Sequence, residues 1–289
     1  MKLQTPVQFP ESRIKVRPSD KVMVLGSCFA SCTGERMKES GFDACVNPFG
    51  VLYNPVSLAG AMQRLSSGKP FTESECIGMG AGSDLICSFS HHTSFARPTA
   101  EEFLAHANEE LDEAASFWAE CNKVLVTLGT VWCFEREGSV VANCLKRPAA
   151  EFRRFPLSPA QVFETLRGIV LSCPGKEFIF SVSPIRHLAD GAHGNQLSKS
   201  SLLLAVEALL GDATVGSRCE YFPAYEIVMD ELRDYRFYAE DMVHPTAQTE
   251  RYVWERFLDF AVPAGDRPAI AEAEKAFRAS LHRPISGRP

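Results

Sequence analysis

The chain of 289 residues is 45% hydrophobic and 23% charged, a balance typical of a globular protein with a substantial core and not of a disordered or fibrous chain. Its net charge of −6 lacks the basic surplus of a phosphate-backbone binder, which argues against a nucleic-acid partner. No stretch is apolar enough to span a membrane or resembles a secretion signal, so we expect a cytoplasmic protein with no membrane partner.

Four short apolar runs predict buried β-strands, and amphipathic segments between them predict helices. The runs lie at 22–25, 43–46, 123–128 and 177–182. The helical patterns lie near 29–40, 55–66, 101–120, 158–172 and 196–210. Strands that alternate with helices in this way pack as a parallel sheet between two helical layers. The predicted fold is therefore α/β, a three-layer α/β/α sandwich with a mainly parallel sheet.

Two segments interrupt this alternation, and we interpret them as loop insertions within one domain of residues 1–262. Residues 67–98 are rich in glycine and serine, and residues 133–157 hold a short predicted hairpin, with its turn at Gly138, and then a charged loop. Residues 263–289 are predicted to be an appended C-terminal tail with one surface helix, Ala269–Leu281, and a frayed end.

Ten cysteines are scattered through segments that are predicted to be buried. None forms a C-x-x-C pair, and no cluster has the spacing of zinc ligands. In a protein expected to stay in the cytoplasm, such cysteines are reduced thiols that pack like small apolar side chains. We therefore predict no disulfides, no metal site and no cofactor.

Each predicted strand ends in small or polar residues, and the first ends in Gly26-Ser27 directly before a predicted helix. The carboxyl ends of parallel strands share one edge, where ligands bind and where helix N-termini stabilise negative charge. Ser27 is therefore either a nucleophile or a helix N-cap, and this segment alone favours the cap. Convergence of the four strand ends shifts the balance toward a site. Cys28 is a further candidate nucleophile, but the turn can direct only one of the two side chains at a cleft.

A serine nucleophile needs a base that is itself oriented by a third group. Asp241 and His244 are three residues apart in a predicted loop before the last long helix. This spacing lets the carboxylate hold one imidazole nitrogen while the other faces a cleft. The alternative is a solvated surface loop, which so short a motif favours when it is taken alone.

Five motifs occupy the ends of these predicted elements. They are Gly26-Ser27-Cys28-Phe29-Ala30, Asn47-Pro48-Phe49-Gly50, Leu128-Gly129-Thr130-Val131-Trp132, Ser183-Pro184-Ile185-Arg186-His187 and Asp241-Met242-Val243-His244-Pro245. Their order resembles the GSCFA family, a branch of the SGNH (GDSL-like) hydrolase superfamily, over about residues 20–260.

The resemblance implies a flavodoxin-like SGNH-hydrolase architecture in which Ser27 is the nucleophile, His244 the general base and Asp241 its orienting partner. It implies a serine esterase or O-acyltransferase that forms an acyl-enzyme on a small ester, such as an O-acylated glycan or a hydroxylated metabolite. Hydrolysis and transfer share their first half-reaction, so both stay open. The alternative function is a catalytically weak or inactive binding module on the same fold. The sequence does not fix the oligomeric state.

The resemblance further implies an oxyanion hole built from the backbone N–H of Ser27, from Gly50 and from the residue at Thr130. The superfamily has an asparagine at this third place, and a threonine hydroxyl is a shorter donor that rotates more freely. Loss of one oxyanion donor costs about 3 kcal/mol of transition-state stabilisation. The alternative third donor is Asn47 or the backbone of Thr130.

Other residues in the family-like segments are predicted either to contact the substrate or to anchor loops by side-chain hydrogen bonds. They are Asn47, His92, Trp132, Arg186, His187 and Asn195. The ring of Trp132 suits stacking on a sugar, but a tryptophan beside the third strand is equally typical of a core.

Overall fold

A computed structural model describes residues 5–281 of the chain. The strands are β1 (Lys21–Gly26), β2 (Asp43–Val46), β3 (Ile77–Gly78), β4 (Ile86–Cys87), β5 (Lys123–Leu128), β6 (Trp132–Arg136), β7 (Ser139–Val141), β8 (Arg153–Pro156), β9 (Glu177–Val182) and β10 (Cys219–Tyr221). Five of them form a parallel sheet in the order β10-β9-β5-β1-β2. Counted along the chain within this sheet, the order is 2-1-3-4-5, as in flavodoxin-like folds.

Helices cover both faces of this sheet. They are α1 (Cys28–Glu39), α2 (Pro55–Ser67), α3 (Ala100–Glu120), α4 (Pro159–Ser172), α5 (Gly191–Leu210), α6 (Ala224–Glu226), α7 (Ala247–Ala261) and α8 (Arg267–Leu281). A π-helical turn, Ile227–Leu232, continues α6. The predicted three-layer α/β/α sandwich is therefore confirmed. Within residues 5–281, every helix is too short or too polar to cross a membrane.

Alternate side chains of each central strand enter two separate cores. In β1, Met23 and Leu25 pack with α2, α3, α4 and α5 on one face of the sheet. Val22 and Val24 pack with α1, α7 and α8 on the other face. Because successive strand residues point to opposite sides, an uninterrupted apolar run is what a strand covered on both faces requires. This explains why the runs at 22–25, 123–128 and 177–182 became central strands, whereas the run at 43–46 became the partly buried edge strand β2.

One helix begins earlier than its apolar pattern indicates. The pattern predicts a start near residue 196, whereas α5 begins at Gly191. Its first turns bury Asn195, Ser198 and Lys199 instead of apolar side chains, and the apolar face begins only at Leu202. A periodicity search that scores hydrophobic residues therefore misses these turns.

The insertion at 133–157 forms a small antiparallel sheet. β6 and β7 are the predicted hairpin, and β8 pairs with the other edge of β6. The sequence predicts a charged loop where β8 lies, because the arginines there hide its strand pattern. In the structure, Arg153 pairs with Glu135 (2.7 Å) and Arg154 pairs with Asp190 (2.6 Å), so these charges help to hold the strand in place.

The predicted C-terminal helix is present as α8, and it is docked rather than free. Ile270 is buried in the core beside α1 and α7. The carboxylate of Glu274 accepts hydrogen bonds from the Ser40 hydroxyl (2.8 Å) and the Trp254 indole N–H (3.3 Å). The predicted frayed end lies outside the described residues.

Candidate active site

The turn that carries Ser27 depends on the glycine before it. Gly26 has φ +142°, and a Cβ at this position would lie 2.2 Å from the carbonyl oxygen of Thr127 on β5. Only glycine therefore lets β1 run this close to β5 at its last residue. The Ser27 N–H then donates to the same Thr127 oxygen (3.2 Å), and α1 begins at the next residue.

Ser27 is the N-cap residue of α1, but its side chain does not cap the helix. At four other helices the N-cap side chain accepts a hydrogen bond from the backbone N–H three residues on, in the usual way. These caps are Asn54, Thr99, Ser158 and Thr246. The Ser27 hydroxyl is instead buried, at 2% residue exposure, with no partner among residues 5–281. A buried hydroxyl without a partner costs about 1–3 kcal/mol, and such groups are uncommon in native proteins.

Asp241 and His244 form the hydrogen-bonded pair that their spacing predicts. His244 Nδ1–H donates to Asp241 Oδ2 at 2.6 Å, and both side chains are about half exposed. Asp241 Oδ1 accepts the backbone N–H groups of Val243 and His244, both at 2.9 Å. These bonds, that of the His244 backbone above all, lower the pKa of Asp241 to about 2. The ionised carboxylate therefore fixes the imidazole tautomer and leaves His244 Nε2 as the acceptor.

The loop that holds this pair is attached to the strand edge through Arg186. The Arg186 N–H donates to the carbonyl of Val243 (3.4 Å), and its guanidinium donates to the carbonyl of Met242 (3.2 Å). The guanidinium also lies over the rings of Tyr235 and Tyr238. Arg186 thus anchors the 242–244 backbone to the segment that follows β9.

The start of α7, just after this loop, lies against the helix that begins at Ser27. Cys32 on α1 contacts Glu250 on α7, and burial together with that carboxylate raises the pKa of the thiol to about 12. Within the described residues, however, no hydrogen bond joins Ser27 to His244. The structure therefore contains the Asp241–His244 half of the predicted triad and leaves Ser27 separate from it.

Each predicted oxyanion donor is hydrogen-bonded to another part of the chain. The Gly50 N–H donates to the carbonyl of Asn47 (2.7 Å), and the Ser27 N–H donates to Thr127 as described. The Thr130 hydroxyl shares a hydrogen bond with the Ser198 hydroxyl (3.1 Å) and accepts the Trp132 N–H (3.2 Å). A substrate oxygen at this place would have to share these donors.

The two alternative donors are occupied as well. The Thr130 N–H donates to the carbonyl of Tyr53 (2.9 Å). The amide of Asn47 accepts the Gly26 N–H (2.8 Å) and donates to the Ser31 hydroxyl (2.8 Å). Asn47 therefore holds the turn that carries Ser27 in place. Of the two roles predicted for Asn47, these bonds are of the kind that anchors a loop.

A family model matches residues 21–257, which is most of the chain and includes all five motifs. The chain belongs to the GSCFA family. Among solved structures, the GSCFA chain is similar to an acetyl xylan esterase (Est2A) from the rumen bacterium Butyrivibrio proteoclasticus, with a TM-score of 0.37 and 11% sequence identity. The match covers 86% of this chain and 64% of that one, so the chain spans less than two thirds of that structure's length. No curated protein matches the sequence.

A cleft of about 560 Å³ opens beside Cys28, the residue next to Ser27, in the GSCFA protein. Cys28, Asn47, Gly50, His92 and Glu110 are among its lining residues. His92 packs directly over Gly50, where an added Cβ would lie 2.3 Å from the histidine Cβ. His92 also accepts the Ser94 N–H through Nδ1, and burial lowers its pKa. Cys28 lies partly exposed at this cleft, with its Sγ 3.6 Å from the Tyr53 hydroxyl.

The remaining predicted contact residues have partners within the chain. One face of the Trp132 ring is covered by the Arg154 guanidinium, 3.9 Å from the ring centroid. Asn195 Oδ1 accepts the His187 N–H (2.9 Å). The Nε2 atom of His187 is buried and has no partner within residues 5–281.

Lys199 is a buried residue of this edge to which sequence reasoning assigned no role of its own, although it ends a family-like segment that begins at Asn195. It is 1% exposed, and its ammonium donates to the Gly129 carbonyl (2.7 Å). Burial lowers the pKa of Lys199 to about 7. The signal was the spacing of Asn195, Lys199 and Leu202, which places all three on one helix face. Nothing in the spacing shows that this face is buried from its first turn.

Tyr53 is a residue that sequence reasoning missed. Its carbonyl accepts the N–H groups of both Gly129 and Thr130, so it covers the end of β5. Within the described part of the chain, no group of three or more histidine, cysteine or acidic side chains could hold a metal ion. The reactive groups at this edge include the Ser27 hydroxyl, the His187 and His244 imidazoles, the Asp241 carboxylate and the buried Lys199 amine.

Proposed function

We propose that this GSCFA protein is a serine esterase or O-acyltransferase that forms an acyl-enzyme at Ser27 on a small ester of a glycan or another hydroxylated metabolite. The observation that carries the proposal is the Ser27 hydroxyl, which neither caps α1 nor bonds any described residue. A serine that served only as a cap would make the bond that four other caps in this chain make. The Asp241–His244 pair and the motif order of the family support it further.

In the first half-reaction, the Ser27 oxygen attacks the ester carbonyl carbon while His244 Nε2 takes the hydroxyl proton. Asp241 stabilises the imidazolium that forms, because its carboxylate stays ionised and bonded to Nδ1–H. The negative charge on the former carbonyl oxygen develops near the N-terminus of α1, where the helix dipole is favourable. The C–O bond then breaks, the alcohol leaves with the proton from His244, and the acyl group remains on Ser27.

In the second half-reaction, His244 deprotonates water or a second hydroxyl, which attacks the acyl-enzyme and regenerates Ser27. The cleft beside Cys28 and Gly50 has room for the alcohol portion of the substrate. For either half-reaction, His244 Nε2 must come within about 3 Å of the Ser27 oxygen or of the attacking oxygen. Catalytic hydrogen bonds are often longer in the free enzyme and tighten when substrate binds.

The test is labelling with a fluorophosphonate together with turnover of p-nitrophenyl acetate. We expect the wild-type protein to be labelled at Ser27, and Ser27→Ala to lose both labelling and turnover. Ser116→Ala, which removes an exposed hydroxyl on α3, is the matched control and should keep both. Full turnover by Ser27→Ala would overturn the proposal. Faster p-nitrophenol release on addition of a polyol acceptor would assign transfer rather than hydrolysis.

One observation favours a second candidate function, a binding module on the same fold. Ser27 has no hydrogen bond to His244, and the predicted oxyanion donors are bonded within the chain. A binding module would leave the wild-type protein unlabelled by the fluorophosphonate while it still binds the deacylated alcohol. The same labelling experiment therefore separates the two functions.

A further inference from the structure

Six buried side-chain atoms have no hydrogen-bond partner within residues 5–281, and two of them follow strands of the central sheet. They are the Ser27 hydroxyl, after β1, and Nε2 of His187, after β9. The two strands flank β5, so both residues belong to the same edge. Native proteins rarely leave such atoms unpaired, since each costs about 1–3 kcal/mol. Two on one edge indicate that a ligand supplies the missing partner.

Tyr53 connects the surroundings of these two atoms. Its hydroxyl lies 3.6 Å from the Sγ of Cys28, the residue next to Ser27. Its ring meets the His187 ring edge-on, with centroids 6.1 Å apart. The Tyr53 side chain therefore spans from the start of α1 to the imidazole of His187.

The backbone of His187 is held in place while its ring atom Nε2 is left free. The His187 N–H donates to Asn195 on α5 (2.9 Å), and the neighbouring Arg186 is bonded to the 242–243 backbone. The bonds that anchor the His187 segment leave the Nε2 atom of its ring unused. A side chain that is positioned to bind a ligand is held in this way.

The surroundings of His187 keep its imidazole neutral. Burial, then the charge of Lys199, lowers its pKa to about 4, with a smaller lowering from His244 and an opposing effect of Asp190. A neutral imidazole carries one N–H, which it can donate without becoming charged, and a group with so low a pKa is a weak base. The base of the proposed mechanism remains His244, which Asp241 orients.

We propose that His187 is a catalytic residue whose Nε2–H donates a hydrogen bond to the carbonyl oxygen of the substrate and stabilises the oxyanion. This inference rests on the proposed function. The three predicted donors are already bonded within the described chain. A His187 donor therefore gives the site an unoccupied N–H although the asparagine expected at Thr130 is absent. The proton stays on His187 throughout, so no bond to it forms or breaks.

The test compares His187→Phe with wild type in turnover of p-nitrophenyl acetate. Phenylalanine keeps the edge-on contact with Tyr53 and removes the N–H. We expect kcat to fall by about 10²–10³-fold, the effect of losing one oxyanion donor, with little change in KM. The acid side of the pH profile of kcat/KM should keep its midpoint, because the base is unchanged. His193→Phe, at an exposed histidine on α5, is the matched control and should leave kcat unchanged.

An unchanged kcat in His187→Phe, or a shifted acid midpoint, would overturn the assignment of His187 as the donor. If the phenylalanine variant does not fold, His187→Gln and His187→Met decide, because they are similar in size and only glutamine can donate. A kcat at least tenfold higher for His187→Gln than for His187→Met supports the inference, and equal kcat values for these two variants overturn it. Ser27→Ala in the same assay separates the two proposals. Full activity of Ser27→Ala contradicts the proposed function. An inactive Ser27→Ala together with a fully active His187→Phe contradicts only the assignment of His187 as the donor.

Discussion

Gly26 is the residue at which the site tolerates least change. Its φ of +142° and the 2.2 Å that would separate an added Cβ from the Thr127 carbonyl oxygen leave no room for a side chain. The same backbone contact positions the N–H of Ser27. The identity of Gly26 thus determines where the candidate nucleophile Ser27 lies.

We expect Gly26→Ala to lower the free energy of unfolding by about 3 kcal/mol, through backbone strain and overpacking together. Activity should fall with it, because Ser27 must move. Gly60→Ala on α2 is the control, since a Cβ there meets nothing within 4 Å. Alanine at that helical position should stabilise by about 0.5–1 kcal/mol. Urea unfolding of both variants measures the difference, and equal midpoints for the two would contradict the steric argument.

The Asp241 carboxylate orients the imidazole of His244. Asp241→Asn should lower kcat by about 10²–10⁴-fold, because the amide no longer holds the Nδ1–H tautomer of His244. Glu240→Gln, a neighbouring exposed carboxylate, is the matched control and should keep wild-type kcat. Fluorophosphonate labelling rates should follow the same order. Wild-type labelling of Asp241→Asn would exclude Asp241 from the mechanism.

The depressed pKa of Asp241 also gives a pH dependence with a definite sign. Its value is about 2 in the folded state, below the ordinary value near 3.9 for an unfolded chain. The stabilising effect is therefore fully present above pH 4 and is lost as the pH falls toward 2. The difference in urea midpoint between wild type and Asp241→Asn should be constant from pH 7 to 5 and shrink at pH 3. A difference that grows on acidification would contradict this sign.

Among the structural elements, α5 buries polar side chains in its first turns, where other helices bury apolar ones. These side chains bond the segments at the carboxyl edge of the central sheet. Ser198 accepts the Val131 N–H, Lys199 bonds the Gly129 carbonyl, and Asn195 bonds His187. One helix therefore fixes the segments that follow both β5 and β9. The buried amine is costly in isolation, so its retention indicates that the position of the 129–131 segment matters.

Lys199→Met tests this role through stability. Because the pKa of Lys199 is lowered to about 7, the unfolded chain binds more protons than the folded one between pH 7 and about 10. Wild-type stability should therefore rise relative to Lys199→Met as pH increases from 7 to 10. Urea midpoints at three pH values measure this trend, with Lys275→Met on the exposed face of α8 as the matched charge change. A falling relative stability would mean that the ammonium is stabilised in the fold.

The elements show which parts of the structure the sequence can predict. Strands β1, β5 and β9 were predictable because each is an apolar run with both faces covered, and the partly buried edge strand β2 because a short apolar run ends there in a turn. The three-residue β10 and the arginine-rich β8 were not, since short strands are defined by partners far along the chain. At the site, the Asp241–His244 bond follows from local spacing. The contacts of Tyr53 and Lys199 depend on how distant segments fold together, which no local pattern encodes.

At the scale of the whole molecule, the helix that begins at Ser27 is enclosed by late parts of the chain. α1 packs against β1 and β2 on one side and against α7 and α8 on the other. The C-terminal helix α8 therefore supports α1, whose N-terminus carries the candidate nucleophile, although α8 lies far from the N-terminus of α1. Its stability is part of the stability of the site.

Ile270 is the residue through which α8 joins this core, at 2% exposure. We expect Ile270→Ala to cost about 2–5 kcal/mol of unfolding free energy, as for other large-to-small changes in a core. Leu281→Ala, at an exposed leucine on the same helix, should change it by less than about 0.5 kcal/mol. Guanidinium unfolding measures both, and a neutral Ile270→Ala would mean that α8 is not part of the cooperative unit.

The Asn47 amide, which bonds both the Gly26 N–H and the Ser31 hydroxyl, couples the turn that carries Ser27 to the outermost strand of the sheet. β2 is four residues long, and within residues 5–281 it pairs only with β1. Edge segments of this kind open locally at lower free energy than the core. Opening of β2 would release the Ser27 turn while the rest of the molecule stays folded. Heat inactivation should therefore precede global melting, with amide exchange in β2 rising at the temperature at which labelling of Ser27 is lost.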